Sequence, residues 1–335
     1  MSVVASVAIH ASQFPESVRR DLLESLHSRQ VNHKFHYDSL KQTQKWLALH
    51  QAFSPSRTDP DCAAAYDRGF AALAARVSAG RVHLISLGCG GGQKDARLLK
   101  LLKDSGQEVF YTPSDVSVSM VLTARQAAMP VIPSRNCFPV VCDLASPDVA
   151  GLTAALCALP HPTARIVTFL GMIPNFEPDV ILPRLAGLLQ PEDNLLLSAN
   201  LAPGADYAAG MQRILPLYDN TLTRDWLMTF LLDLGFEAGD GDLQFRIEEA
   251  PAGNTLKRVA AHFHFRQSRQ IKVDAQRFEF RRGDSIRLFY SYRHTPALVE
   301  ALLQQHGLGV IDRWITRSEE EGVFLVSLKT TSRTD

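Results

Sequence analysis

Four glycines crowd the turn Gly88-Cys89-Gly90-Gly91-Gly92, and an acid, Asp115, follows about 20 to 25 positions on. The stretch VHLISLGCGGGQKDARLLKLLKDSGQEVFYTPSD (82–115) reads as a strand ending at Leu87 and a glycine turn. An amphipathic helix from Gln93 to Lys103 comes next, then a second strand closing on Asp115. Glycine in such a turn lets the backbone approach a ligand more closely than any Cβ allows, and the helix N-terminus adds free N–H groups. A carboxylate at the end of the next strand suits a bidentate grip on ribose hydroxyls. These residues predict a site for an adenosine-containing cofactor.

Two cofactor classes compete for the turn. A dinucleotide loop has the form G-x-G-x-x-G, with a third glycine for helix packing and the pyrophosphate on the helix N-terminus. Here the sixth position is Gln93, which weakens that reading. A sulfonium nucleoside carries no phosphate and needs only close backbone approach. Asp143, at the end of the third strand, suits recognition of an adenine amino group. The residues favour a methyltransferase over a dehydrogenase.

The elements around the turn supply its setting. A helix is expected over 61–79, with Asp61 as N-cap and Gly80 as terminator. After Asp115 come a helix at 121–129, a strand at 138–142, a helix at 149–159, a strand at 165–170, a helix at 179–190 and a strand at 194–199. Strands alternating with helices at this spacing predict an α/β fold, a doubly wound parallel sheet that binds ligands at the strands' carboxyl ends. That edge collects Gly88 to Gly92, Asp115, Asp143 and the FLGMIPN turn with Asn175. From Ala202 the rhythm breaks. Helices carrying Tyr207 and Tyr218, and then one capped by Asn220 or Thr221 and closed by Gly235, lead to strand-like alternation over 256–291. A helix at 296–306 and strands at 310–314 and 323–328 restore the rhythm as an antiparallel edge hairpin. Before all this, 12–29 reads as a helix with Leu22, Leu23 and Leu26 on one face. Residues 31–59 are rich in aromatics (Phe35, Tyr37, Trp46, Phe53), which serve either a packed core or a lid over a pocket.

Composition bounds the class. The 335 residues are 46% hydrophobic and 21% charged, with 35 basic and 35 acidic side chains, an ordinary globular balance that argues against a nucleic-acid or membrane-surface partner. Five cysteines with no C-x-x-C pair suit free thiols in a reducing compartment. The opening SVVASVAI is too short to span a bilayer and lacks a basic n-region, so the expectation is a cytoplasmic protein acting on a small molecule, with a monomeric state compatible.

The chain resembles the histidine-betaine methyltransferase family of ergothioneine biosynthesis, which trimethylates the α-amino group of histidine with S-adenosylmethionine. KFHYDSLKQTQKWLALHQAFSPSRTD resembles the family's N-terminal block, K-x-F-Y-D-x-x-G-S with an E-Y-Y-P-T-R-T-E-like end. LISLGCGGGQK resembles its E-L-G-S-G-x-S-x-K loop, YTPSDVS its Y-x-P-x-D-V-S strand end, and FLGMIPNFEP its F-L-G-S-T-I-G-N turn. YDNTLTRDW resembles a Y-D-D block and GDSIRLFYSYRHT resembles G-E-x-I-x-x-E-x-S-x-K-Y. The resemblance implies a class I methyltransferase, Rossmann-like domain (58–201 plus 293–335) and a second α+β substrate-binding subdomain (1–57 plus 202–292). It implies that Tyr37, Gly88, Gly90, Lys94, Asp115, Asp143 and Leu144 line the cofactor. Asn175 and Tyr218 hold the ends of the amino acid, beside Phe53, Phe289 and Ser291. Tyr37 and Asn175 are the catalytic candidates, Tyr37 as acceptor or relay of the amine proton. No metal is expected.

The departures from the family's pattern carry information. Ser86 replaces a glutamate in the glycine-loop strand, a carboxylate that would help hold the cofactor's methionine end. FLGMIPN is one residue short. Phe289 replaces the glutamate that recognises imidazole, Ser291 is retained, and Phe53 replaces a tyrosine. A site that leaves an imidazole N–H unpaired loses about 1–3 kcal/mol. The reading is therefore a paralogue acting on an amino acid or amino-acid-derived metabolite with an apolar or aromatic, tryptophan-like side chain. Plain histidine is the alternative, with Glu279 supplying the lost acid, and a non-catalytic cofactor-binding scaffold is the rival of another class. Other features have plainer readings: His262 and His264 share a strand face without a third ligand, the arginines from Arg266 to Arg287 are interleaved with acids, and Cys89 is simply small. Asp284 reads as a turn residue.

Overall fold

The computed structural model describes residues 5–78, 80–158, 164–251 and 255–329. In chain order the first elements are β1 (Ala8–Ile9), α1 (Pro15–Ser28), α2 (Leu40–Phe53), α3 (Pro55–Thr58) and α4 (Pro60–Ala75). Then come β2 (Arg81–Leu87), α5 (Gln93–Asp104), β3 (Glu108–Asp115), α6 (Val118–Ala128), β4 (Val140–Val141), α7 (Val149–Leu156) and β5 (Ala164–Leu170). They are followed by α8 (Pro178–Leu188), β6 (Asn194–Asn200), α9 (Tyr207–Tyr218), α10 (Thr221–Asp233), β7 (Gly241–Glu249) and β8 (Lys257–Phe265). The chain ends with β9 (Arg269–Val273), β10 (Gln276–Phe280), β11 (Ser285–Arg293), α11 (Pro296–Gln305), β12 (Leu308–Ile315) and β13 (Glu321–Leu328).

The chain divides into two compact units, one of Met1–Gln13, Pro55–Leu201 and Thr295–Asp335, the other of Phe14–Ser54 and Ala202–His294. The first unit is a sheet in the order β1-β4-β3-β2-β5-β6-β13-β12. Strands β1 to β6 run parallel, and β13 and β12 add the antiparallel hairpin at one edge. Residues 5–13 belong to this unit. The reason is β1, whose Ala8 and Ile9 pair with Val140 and Val141 and so occupy the other sheet edge.

Local corrections have simple causes. Helix α4 is capped by Asp59, whose carboxylate accepts from the Asp61 amide at 2.9 Å, with Pro60 at the first helical position. Asp61 is therefore inside the helix, and the helix stops at Ala75, short of Gly80. Strand β4 keeps only Val140 and Val141 of the expected 138–142. Helix α7 ends at Leu156; the expected end, Leu159, lies outside the described residues. The core packs Tyr66, Phe70 and Leu73 of α4 and Leu98, Leu99 and Leu102 of α5 against Val82, Leu84, Tyr111, Leu196 and Val323. Each such aliphatic or aromatic side chain contributes about 1.5–3 kcal/mol through removal from water.

The second unit holds a three-stranded antiparallel sheet, β11-β8-β7, and a two-stranded ribbon, β10-β9. A capping box of Ser39 and Gln42 starts α2, and the Asn220 side chain accepts from the Thr223 amide to start α10. Phe230, Leu227 and Trp226 of α10 pack with Leu26, Phe35, Phe263, Phe280 and Phe289. Phe35 is thus a core residue.

Candidate active site

In the first unit, β2 delivers the chain into the glycine turn and α5 takes it away. The amides of Gly88 and Cys89 both donate to the Ser114 carbonyl at 2.9 Å, tying the turn to the end of β3. Gly88 and Gly92 stand at φ +70° and +73°. A Cβ at Gly88 would strike the Met172 side chain, and one at Gly92 would lie 2.5 Å from Ala124 Cα. Gly92 therefore does the helix-packing work that Gln93 cannot do, against α6. At Gly88 the space that a Cβ would take is held by the Met172 side chain.

Asp115 sits half-buried at the carboxyl end of β3. Its carboxylate accepts from the Gly90 amide at 3.2 Å and from the Ser117 amide at 3.2 Å. Burial pushes its pKa up to about 6 in spite of those amides. No cation pairs with it among the described residues, so its remaining lone pairs suit two ribose hydroxyls. A carboxylate with lone pairs beyond its amide bonds, at the end of the strand beside the glycine turn, is what an adenosine cofactor needs, and the residues present fit one.

The other residues expected at the cofactor are placed less simply. Asp143 is 8% exposed; its carboxylate accepts from the Ala145 amide at 2.7 Å, and its own amide donates to Ser12 Oγ at 2.9 Å. Leu144 is buried and lines a small apolar pocket with Leu87, Val149, Ile181 and Leu185. Its carbonyl accepts from Arg184 at 2.8 Å. Lys94 is half-buried, donates to the Tyr66 hydroxyl at 2.8 Å and stands 4.0 Å from the Tyr66 ring centroid. Burial lowers its pKa. Cys89 has its thiol pKa pushed well up by burial and by Asp115 and Asp95, the opposite of an activated nucleophile. Asn175 ends a short 3-10 turn after β5, and its side-chain amide bonds to no other described residue.

One feature of this unit was not legible in the sequence. A stripe of buried polar groups crosses the sheet near its carboxyl edge under α4 and α5. Tyr66 donates to Ser198 Oγ at 2.7 Å and also bonds to Glu321. Tyr111 donates to Asp95 at 2.6 Å. Strand register puts Ser86 opposite Thr168 and Ser198 opposite Val323, so these groups share a face. The only sequence cue was polar residues inside apolar strands.

In the second unit, the pivot is a bulge in β11. Arg287 pairs with His262 of β8, yet Phe289 pairs with Ala261, leaving Leu288 as the extra residue. Without it, Phe289, Ser291 and Arg293 would follow Arg287 onto the face of His262. With it, they join the face of Ala261 and Val259, which packs on the helices. The Leu288 carbonyl accepts from His36 Nε2 at 2.6 Å, and the Tyr290 amide lies 3.3 Å from His33 Nε2.

Around Phe289 stand three rings: His33, stacked at 5.0 Å, Trp226 at 5.6 Å and Tyr218 at 6.4 Å. Tyr37 joins through Trp226 at 5.5 Å and Trp46 at 6.0 Å. Tyr218 donates its hydroxyl to Ser291 Oγ at 2.8 Å, and Arg293 Nε donates to the Tyr218 hydroxyl at 3.1 Å. Tyr37, Tyr218, Phe289 and Ser291 are thus brought into one cluster. His33, Trp226 and Arg293 were missed because no local pattern links them. Phe53, the last residue of α2, is 53% exposed and outside these ring pairs.

Glu279 does not supply the lost acid. It is exposed on β10 beside Arg281, while its neighbours Phe278 and Phe280 turn into the core. His262 bonds to Glu248 at 2.8 Å, and Arg266 and Arg269 pair with Asp242 and Asp240. Asp284 accepts from the Arg281 amide at 2.7 Å, closing the turn.

A parallel sheet with a glycine turn after its central strand β2, and an acid ending the neighbouring strand, defines a class I methyltransferase dependent on S-adenosylmethionine. The family described as histidine-specific methyltransferase, SAM-dependent, matches residues 18–328, and the chain belongs to it. No curated protein matches at a significant level. Among solved structures, the chain is similar to the magnesium protoporphyrin IX methyltransferase of Synechocystis PCC 6803. That match has 13% identity and a TM-score of 0.44, covering 88% of this chain and 98% of that one. The 1,6-didemethyltoxoflavin-N1-methyltransferase of Burkholderia thailandensis is 13% identical with a TM-score of 0.41, covering 98% and 93%. The CcbJ methyltransferase of Streptomyces caelestis is 15% identical with a TM-score of 0.37, covering 79% and 88%.

Proposed function

We propose that this enzyme N-methylates the α-amino group of an L-amino acid, or of a metabolite derived from one, that carries an apolar or aromatic side chain. The observation that carries this reading is the cluster at Phe289. An apolar floor of Phe289 and Trp226 lies next to a polar relay of Ser291, Tyr218 and Arg293. Such a pairing suits a ligand with one aromatic end and one zwitterionic end. Phe289 has no hydrogen-bonding group to offer an imidazole N–H, whose desolvation then costs about 1–3 kcal/mol.

Bound S-adenosylmethionine supplies the electrophilic methyl group. The protein's contribution is positioning, because in-line displacement needs a neutral amine held at the right angle. Asp115 and the Gly88–Gly92 turn hold the adenosine half. Asn175 offers an amide to the amino acid's polar end, Tyr218 and Ser291 offer hydroxyls, and Tyr37 relays the amine proton to solvent, giving up its hydroxyl proton as it takes up the amine's. On this reading the first unit is the methyltransferase domain and the second the substrate domain, acting on a small cytoplasmic metabolite.

Membership of a histidine-specific family favours histidine as the second reading. One experiment separates them. The protein is incubated with each of the common amino acids and methyl-labelled cofactor, and products are read by mass. Tryptophan-like substrates are expected to outpace histidine by at least about tenfold, the factor matching 1.4 kcal/mol. Histidine as the best substrate would sink the proposal.

A further inference from the structure

Asp95 is a buried acid that the cofactor assignments above leave without a role. It lies in the first turn of α5, directly after the glycine turn, and is 3% exposed. Its carboxylate accepts from Tyr111 at 2.6 Å. Burial drives its pKa up to about 6, against hydrogen bonds from Tyr111 and Ser86. No ion pair joins Asp95 to a cation among the described residues, since neighbouring Lys94 points its ammonium at Tyr66. Thr168, 1% exposed and opposite Ser86 in register, turns its hydroxyl to the same carboxylate as a third neutral donor. A buried carboxylate held by neutral donors alone is costly, and a positive charge placed near it offsets that cost.

The sheet order indicates the source of that charge. Asp115, on β3, takes the ribose; β2 and β5 follow beyond it, carrying Gly88, Ser86 and Thr168. The rest of the cofactor would then face β2 and β5, and that half carries two positive charges, the sulfonium and the α-ammonium, against one carboxylate, a net charge of +1 that is lost in S-adenosylhomocysteine. The strand itself has only a hydroxyl at this place, Ser86. We propose that Asp95 supplies, from the helix side, the negative charge under the glycine turn that holds the cationic methionine half of S-adenosylmethionine. Asp95 is a positioning residue: it acts through the turn and its field and does not touch the reacting atoms.

The test compares three ligands by calorimetry on the full chain: S-adenosylmethionine, S-adenosylhomocysteine and methylthioadenosine, which lacks the ammonium-bearing half. In Asp95→Asn, affinity for S-adenosylmethionine is expected to fall at least tenfold and that for S-adenosylhomocysteine by several-fold. Methylthioadenosine should change less than twofold. Equal loss for all three ligands would mean that Asp95 only shapes the turn, and no loss for any would mean that its charge is irrelevant; either result overturns the proposal. A second variant moves the acid back to the strand. The exchange Ser86→Asp with Asp95→Ser should recover S-adenosylmethionine affinity to within about threefold of the native protein. Asp95→Ser alone should not. Failure of the folded exchange variant to outbind Asp95→Ser also overturns the proposal. Because binding is read without an acceptor substrate, none of these outcomes depends on which amino acid is methylated.

Discussion

His36 Nε2 donates to the Leu288 carbonyl at 2.6 Å, joining residues 252 positions apart. That bond caps the one extra residue of β11 and so decides which face Phe289 and Ser291 present. His36 is fully buried, and its ring also packs on Trp226 at 5.3 Å. The cluster around Phe289 is thus aimed by a residue that is not itself one of its rings.

Replacing His36 with phenylalanine keeps the ring and removes the donor. The Leu288 carbonyl would be left buried and unpaired, costing about 1–3 kcal/mol of stability. Urea unfolding should report that loss. The ratio of kcat/KM for the preferred amino acid over histidine should shrink in the same variant, because Phe289 is no longer held to one face.

Acid should destabilise the fold through its buried histidines. His36 and His83 have pKa values lowered to about 4, chiefly by burial, and His33 is lowered well below its ordinary value. In the unfolded chain each titrates near 6.5. Between these values the unfolded state binds more protons, so stability is fully present above about pH 6.5 and is lost as pH falls towards 4. The loss is on the order of 3 kcal/mol for each of His36 and His83. Thermal midpoints measured from pH 7.5 to 4.5 should fall across that window, and less steeply in His83→Asn.

Phe289→Glu restores a carboxylate beside Ser291. Histidine should then become a better substrate by about tenfold or more, the value of one recovered hydrogen bond to a charged group. Competition between histidine and tryptophan in one reaction, read by product mass, checks it. An unchanged ratio counts against the specificity argument.

Asp115→Asn should weaken S-adenosylmethionine by about tenfold to a hundredfold, since the amide accepts at one oxygen only and loses the charge. Methylthioadenosine retains the ribose, so calorimetry should show the same loss for it. That pattern distinguishes Asp115 from Asp95.

Tyr218→Phe removes the hydroxyl linking Ser291 and Arg293. The ring is half-buried and its packing on Phe289 is kept. KM for the amino acid is expected to rise about tenfold and stability to fall by about 1–3 kcal/mol, because buried Ser291 loses its partner, as steady-state kinetics and calorimetric melting would show.

Much of the first unit was legible because its determinants are local. The run from Val82 to Asp115 announces strand, turn, helix and strand through apolar runs, glycines and a helical stripe, each confined to a few neighbouring residues. The alternation of elements then implies a parallel sheet, and the parallel sheet implies that Gly88, Asp115, Asp143 and Asn175 belong to the carboxyl edge. What periodicity misses is any partner distant in sequence. Residues 8–9 belong to a short apolar opening that carries no strand signal of its own until Val140 and Val141 pair with them. The acid at position 95 looks like an ordinary first-turn helix residue. Only the packing of α5 on Tyr111 shows that it is buried.

The second unit makes the division sharper. Alternation along β11 correctly says that Phe289, Ser291 and Arg293 share a face, because side chains repeat every two residues. It also says that Arg287 shares it, and this is wrong by one residue. A bulge inserts itself without any change in the sequence pattern, and its stability comes from hydrogen bonds to His33 and His36 at the far end of the chain. Residue types alone specify the chemistry that each strand end carries. Tertiary structure decided which of those groups face one another, since a single unpaired residue turns every side chain after it to the opposite face.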